Sequence, residues 1–190
     1  MIVVDLETTG LLKPDTRDPE QQPGIVQIAL AKVQYVGPDT GYRATDWKTW
    51  LVNPEKPVWD PDAIKTHGIN PGDVKDAPTL AALHPELCDW FAGQHTWIGF
   101  NNEFDRKVLF YSLARLSMEA RFPWPWIDMD VMKIAKPVVN IPGKRDIKFP
   151  SLIECHKELV GEDYKNAHDA GADIMATLNC LNALASLGYV

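Results

Sequence analysis

Apolar runs rich in β-branched residues open the chain, and apolar residues at helical spacing close it. Residues 2 to 6 (Ile-Val-Val-Asp-Leu) and the longer run Ile25 to Val36 predict strands, with a third over Trp47 to Val52. Between the first two, Leu11 to Gly24 is rich in Pro, Asp and Gln and has no apolar period, which predicts an unusually long loop. Asn53 to Pro78 carries prolines at 54, 57, 61, 71 and 78, so it should hold loop and short helical turns around Asp62 to His67. From Thr79 to Phe91 the apolar positions Leu80, Leu83, Leu87, Trp90 and Phe91 follow a helical period, ahead of a short strand at Thr96 to Phe100.

A second helix is expected from Glu103 to Arg115, after which Pro123 and Pro125 break the chain before Ile127 to Ala135. Residues 137 to 150 read as a loop rich in Pro, Gly and Lys. Ser151 is placed to cap a helix running to Leu159, with Glu154 at the position that returns the bond, and Ala167 to Leu187 predicts a long final helix. Strands first, then helices interspersed with strands, give an α/β fold in three layers, a mixed central sheet flanked by helices.

At 190 residues with 45% hydrophobic content, the chain suits a single domain over residues 1–190. No apolar run reaches the roughly 18 to 20 residues of a membrane span, and the opening Met1 to Asp5 lacks a basic signal-peptide region, so a cytoplasmic protein with no membrane partner is expected. Cys88, Cys155 and Cys180 have no paired spacing and read as reduced, packed thiols. A net charge of −7 argues against a protein that coats long duplexes by neutralising phosphates. It leaves a nuclease open, because acidic side chains that hold divalent cations present a reversed local sign to a phosphate.

Three short constellations carry candidate chemistry. Asp5 and Glu7, two apart at the end of the first strand, point to one face, and two carboxylates sharing a site invite a hard divalent cation. Asp105 follows Asn101 in Gly99-Phe100-Asn101-Asn102-Glu103-Phe104-Asp105, where a strand hands over to a helix that the Asn101 side chain is expected to cap. His168 and Asp173 sit near the start of the last helix and can border one cleft if His168 precedes its first full turn. Each element alone has an ordinary explanation as a turn cap, a helix-dipole partner or a surface histidine.

In order and together, DxETTG, NxxFD and HxxxxD resemble the DEDDh, or DnaQ-like, exonuclease family, and the likeness spans essentially the whole chain. Asp62 to Ile69, ending in His67-Gly68-Ile69, is also similar to that family's substrate-side helix and turn. The resemblance implies a ribonuclease-H-like fold and a metal-dependent 3′-to-5′ exonuclease that releases nucleoside monophosphates. It implies catalytic roles for Asp5, Glu7, Asp105, His168 and Asp173, with the four carboxylates holding two divalent cations, Mg²⁺ or Mn²⁺, that clamp the attacking and leaving oxygens. His168 would be the general base, since an imidazole accepts a proton near neutral pH. Thr8, Thr9 and Gly10 would meet the substrate end, Phe104 would stack or wedge at the terminal bases, and Asn101 and His67 would touch sugar or phosphate.

The expected partner is the 3′ end of a single-stranded nucleic acid, DNA favoured over RNA because the opening DLETTG and the HGI turn resemble proofreading members more closely. The alternatives are an exoribonuclease acting on short RNA and a catalytically silent polymerase accessory or nucleic-acid-binding module. A polymerase or a second copy of the chain stays open as a protein partner. The chain departs from the family pattern in the 11–24 loop and in Val138 to Phe149, where Lys144, Arg145 and Lys148 form a basic cluster suited to a phosphate backbone.

Overall fold

The computed structural model describes residues 1–56 and 58–190, so Pro57, one of the prolines expected to break the 53–78 segment, lies outside the described residues. Strand β1 (Ile2–Thr8) pairs antiparallel with β2 (Ile25–Gly37), which pairs antiparallel with β3 (Gly41–Leu51). Helices α1 (Pro61–His67), α2 (Pro71–Val74) and α3 (Leu80–Phe91) follow, then β4 (Thr96–Gly99), parallel to β1. After α4 (Asn102–Arg115) comes β5 (Ile127–Asp130), parallel to β4, and then α5 (Val131–Val139), α6 (Leu152–Val160) and α7 (Ala170–Ser186). The sheet order β3-β2-β1-β4-β5 is mixed, as expected, and puts β1 at its centre.

Helices cover both faces. On one, α3 and α4 pack Leu83, Leu87, Phe91, Val108 and Leu113 against Val4, Leu6, Ile28, Leu30 and Trp97. On the other, α5, α6 and α7 bring Ala135, Cys155, Ile174 and Leu181 against Val3, Ala29, Ala31 and Ile98. Ala29 and Ala31 leave little side chain between β2 and α7, which lets the helix lie close over the middle of the sheet. Among the described residues no helix is long and apolar enough to cross a membrane. Cys155 and Cys180 are buried and Cys88 half-buried, all three as free thiols.

Local signals set most element ends. Pro61 opens α1 behind Asp60, whose carboxylate accepts from the Asp62 amide, and Gly68 closes it at φ 75°, a conformation suited to glycine. Ser151 and Glu154 form the reciprocal cap expected at α6. Three expectations are corrected. Strand β3 begins six residues before Trp47, because it is an edge strand whose exposed positions Arg43, Thr45, Asp46 and Lys48 give no apolar signal. Ile127 to Ala135 is divided by Asp130, which ends β5 and caps α5 by accepting from the Met132 and Lys133 amides. Helix α5 runs through Pro137 to Val139, two residues beyond the start of the expected loop, since a proline in the last turn forfeits only one ladder bond.

Candidate active site

The alternation of β1 sends Val4 and Leu6 towards α3 and α4, and Val3, Asp5 and Glu7 towards α7. Glu7 pairs with Gln27 across the ladder, and Asp5 with Ala29. The buried Gln27 amide reaches the start of α7, where Nε2 donates to Asp169 Oδ2 at 3.0 Å and Oε1 accepts from the Ala170 amide at 2.9 Å. Asp169 in turn caps the helix by accepting from the Ala172 amide. The helix therefore starts at Ala170, three residues later than the sequence predicts, and His168 stands outside it at φ 68°.

Glu7, His168 and Asp173 come together, each offering a ligand atom within 4.8 Å of the others. Asp173 Oδ1 accepts from the Tyr164 hydroxyl at 2.9 Å and from the His168 amide at 3.3 Å. Asp5 and Asp105 lie outside this group of three, but Asp5 is near enough to Asp173, and Asp105, in the first turn of α4 and close to the Leu6 amide, near enough to Asp5 and Glu7, for their charges to repel.

Charge crowding follows from this placement. Burial, followed by repulsion from Asp5, Asp173 and Asp169, pushes the Glu7 carboxyl up to about 9. Burial and then Asp173 and Asp169 hold Asp5 well above the ordinary carboxylate range. Asp105 is raised by burial and by Asp5 and Glu7, with the Leu6 amide pulling the other way. Asp173 is also raised, chiefly by burial, against the opposing hydrogen bonds from Tyr164 and His168. Among the described residues no lysine or arginine forms an ion pair with any of the four carboxylates. Hard oxygen donors, one imidazole and no neutralising side chain fit a divalent cation of the Mg²⁺ or Mn²⁺ type, which would supply the missing positive charge.

Several of the residues expected on the substrate side are already engaged within the protein. Thr8 and Thr9 are buried, the Thr8 hydroxyl donating to Gly10 O at 2.7 Å and the Thr9 hydroxyl accepting from the Gly24 amide at 2.9 Å. A side chain at Gly10 would press on Asp60, the Cβ positions lying 3.2 Å apart. His67 Nδ1 accepts from the Ile69 amide at 3.0 Å, which places the proton on Nε2 and makes that nitrogen the donor to Thr8 O at 3.1 Å. Phe104 packs half-buried at the edge of the core. Asn101 precedes α4 at φ 70° and ψ 50° and makes no side-chain cap, contrary to expectation, because a capping side chain reaches the first-turn amides from an extended backbone and this one is left-handed.

Gln27, Asp169, Tyr164 and Arg115 are missed by sequence reasoning. The Arg115 guanidinium clamps the 11–24 loop by donating to Pro19 O at 2.9 Å and to Gln22 O and Pro23 O at 3.4 Å. Gln27 is the one with a readable signal, a polar residue within an otherwise apolar run, Ile25 to Leu30.

A family model described as an RNase T exonuclease matches residues 2–181. The DNA polymerase III epsilon subunit of Haemophilus influenzae is 26% identical over 145 residues, covering 76% of this chain and 52% of that subunit. That of Pasteurella multocida is 27% identical over 146 residues, again 76% of this chain and 53% of the subunit, so the chain spans about half the length of these relatives. Among solved structures, exonuclease X in complex with a 5′-overhanging duplex superposes with a TM-score of 0.62 at 22% identity, over all of this chain and 93% of that one. Escherichia coli exonuclease I bound to a dA16 oligonucleotide gives a TM-score of 0.71 at 18% identity, over 96% of this chain and 40% of that one. These superpositions carry the fold.

Proposed function

The chain belongs to the DEDDh, or DnaQ-like, exonuclease family, and on that premise we propose that residues 1–190 act as one catalytic domain that removes nucleoside monophosphates from the 3′ end of single-stranded DNA. The observation that carries this reading is the convergence of Glu7, His168 and Asp173 within 4.8 Å, near Asp5 and Asp105 and, among the described residues, with no lysine or arginine paired to the carboxylates.

In this reading Asp5, Glu7 and Asp173 would hold one divalent cation, Mg²⁺ or Mn²⁺, and Asp5 with Asp105 a second. Such ions, when bound, stabilise charge on the phosphoryl oxygens and make an attacking water easier to deprotonate. The ring nitrogen of His168 that faces Glu7 and Asp173 takes the proton from that water. His168 is suited to this because it is exposed and lies outside the helix, where water and a strand end can reach it. Gln27 and Asp169 keep the start of α7, and hence Asp173, over Glu7. His67 holds the HGI turn against Thr8 O and so fixes the end of β1 where the terminal nucleotide would lie. DNA is favoured over RNA because both sequence relatives are subunits of a DNA polymerase.

The test uses matched single-stranded DNA and RNA oligonucleotides labelled at either end, with Mg²⁺, Mn²⁺ or chelator. The proposal expects a ladder from the 5′ label, immediate release of labelled mononucleotide from the 3′ label, faster turnover of DNA, and no reaction with chelator. Binding without shortening in either metal would overturn it in favour of a silent binding module. Faster turnover of RNA would replace the substrate while keeping the reaction.

A further inference from the structure

The segment between α6 and α7 holds a contact that the five family positions do not account for. Tyr164 lies four residues before His168 and nine before Asp173, and its hydroxyl donates to Asp173 Oδ1 at 2.9 Å. The same oxygen accepts the His168 amide at 3.3 Å. Among the described residues both hydrogen bonds to this carboxylate therefore end on Oδ1, which leaves Oδ2 free for a cation. Tyr164 is itself held from behind. The buried imidazole of His156 in α6 lies 5.2 Å from its ring, and His156 Nδ1 donates to Glu162 O at 2.8 Å, two residues before Tyr164. His156 Nε2 faces Asn179 Nδ2 of α7 at 3.4 Å, consistent with accepting from that amide. The segment is thus braced against both helices, with Asn166 and His168 in the left-handed region at φ 59° and 68°, where few residues other than glycine stand.

We propose that Tyr164 is a positioning residue that holds the Asp173 carboxylate, through Oδ1, in the orientation required to bind the catalytic cation. The proposal rests on the functional reading above. Partners of this kind, which orient a metal-ligating group without touching the metal, typically change metal affinity by about 10- to 100-fold when removed. Facing a carboxylate oxygen, the Tyr164 hydroxyl is the donor of this contact.

The experiment is calorimetric titration of Mn²⁺ into the full chain and into its Tyr164→Phe and Lys165→Ala variants, with thermal unfolding in chelator and steady-state shortening of single-stranded DNA. Tyr164→Phe removes only the hydroxyl. It should weaken Mn²⁺ binding about 10- to 100-fold and lower kcat at fixed sub-saturating Mn²⁺, with KM for DNA and the chelator Tm nearly unchanged. Lys165→Ala, a change in the same loop, should match the wild type. Equal or tighter Mn²⁺ binding by Tyr164→Phe overturns the proposal, the tighter result because it would make the hydroxyl a competitor for the carboxylate. Equal losses in both variants also overturn it, by assigning the effect to the loop as a whole. A wild-type chain that binds no Mn²⁺ overturns the functional reading and this inference with it, whereas normal binding in both proteins overturns this inference alone.

Discussion

Gln27 holds Ala170. The strand residue that pairs with Glu7 across the ladder accepts the first amide of the last helix at 2.9 Å, while the other end of the same side chain donates to the capping carboxylate of Asp169. One buried amide thus couples the register of the sheet to the placement of His168 and Asp173.

Replacing Gln27 with Leu should leave the Ala170 amide without a partner inside the protein. The expected cost is about 1–3 kcal/mol in urea unfolding, with a loss of exonuclease rate under conditions where the variant is still folded. Full activity in a folded Gln27→Leu protein would mean that the helix start is held by other contacts.

The stability of the metal-free protein should fall as pH rises. Glu7 keeps its proton up to about 9 in the folded chain, whereas its ordinary value is 4.5. Between those values the folded state binds more protons than the unfolded state, so the stabilisation is complete below about 4.5 and is lost on the way to 9, with a slope of at most roughly 1.4 kcal/mol per pH unit for one proton. Asp5 and Asp173, also raised, act in the same direction. Thermal unfolding in chelator at pH 5, 7 and 9 should show a falling Tm, a shallower fall in Glu7→Gln, and recovery of the loss on adding Mn²⁺. A Tm that rises with pH in the wild type would contradict the crowding of these carboxylates.

Arg115→Ala should release the 11–24 loop. The guanidinium serves three loop carbonyls at 2.9 to 3.4 Å, and charge-assisted bonds of this kind contribute about 1.5–3 kcal/mol. Limited proteolysis should cut the variant between residues 11 and 24 sooner than the wild type. Equal cutting would show that Gln22, which bonds Lys13 and Thr16, is enough to hold the loop.

How much of this was legible in the sequence depended on range. The spacing of Asp5 and Glu7 fixes their shared face because strand alternation is local, and the cap at Ser151 is local for the same reason. The mixed sheet and its two covering layers follow from element order. What could not be read is tertiary. Gln27 meets Ala170 across 143 positions, and Arg115 meets Pro19 across 96. Tyr164 is close in sequence to Asp173, but no spacing rule applies to a segment whose path is set by left-handed residues at Asn166 and His168. The edge strand β3 was read short because an exposed edge has no apolar face to report it.

The most direct test of the central claim is single-turnover shortening of a 5′-labelled single-stranded DNA in Mn²⁺ by the wild type, His168→Ala and Asp173→Ala. The account predicts a 3′-to-5′ ladder from the wild type that chelator abolishes, a rate about 10²- to 10⁴-fold lower for His168→Ala, and no ladder from Asp173→Ala. A ladder that persists in chelator, or that both folded variants produce at the wild-type rate, would contradict it.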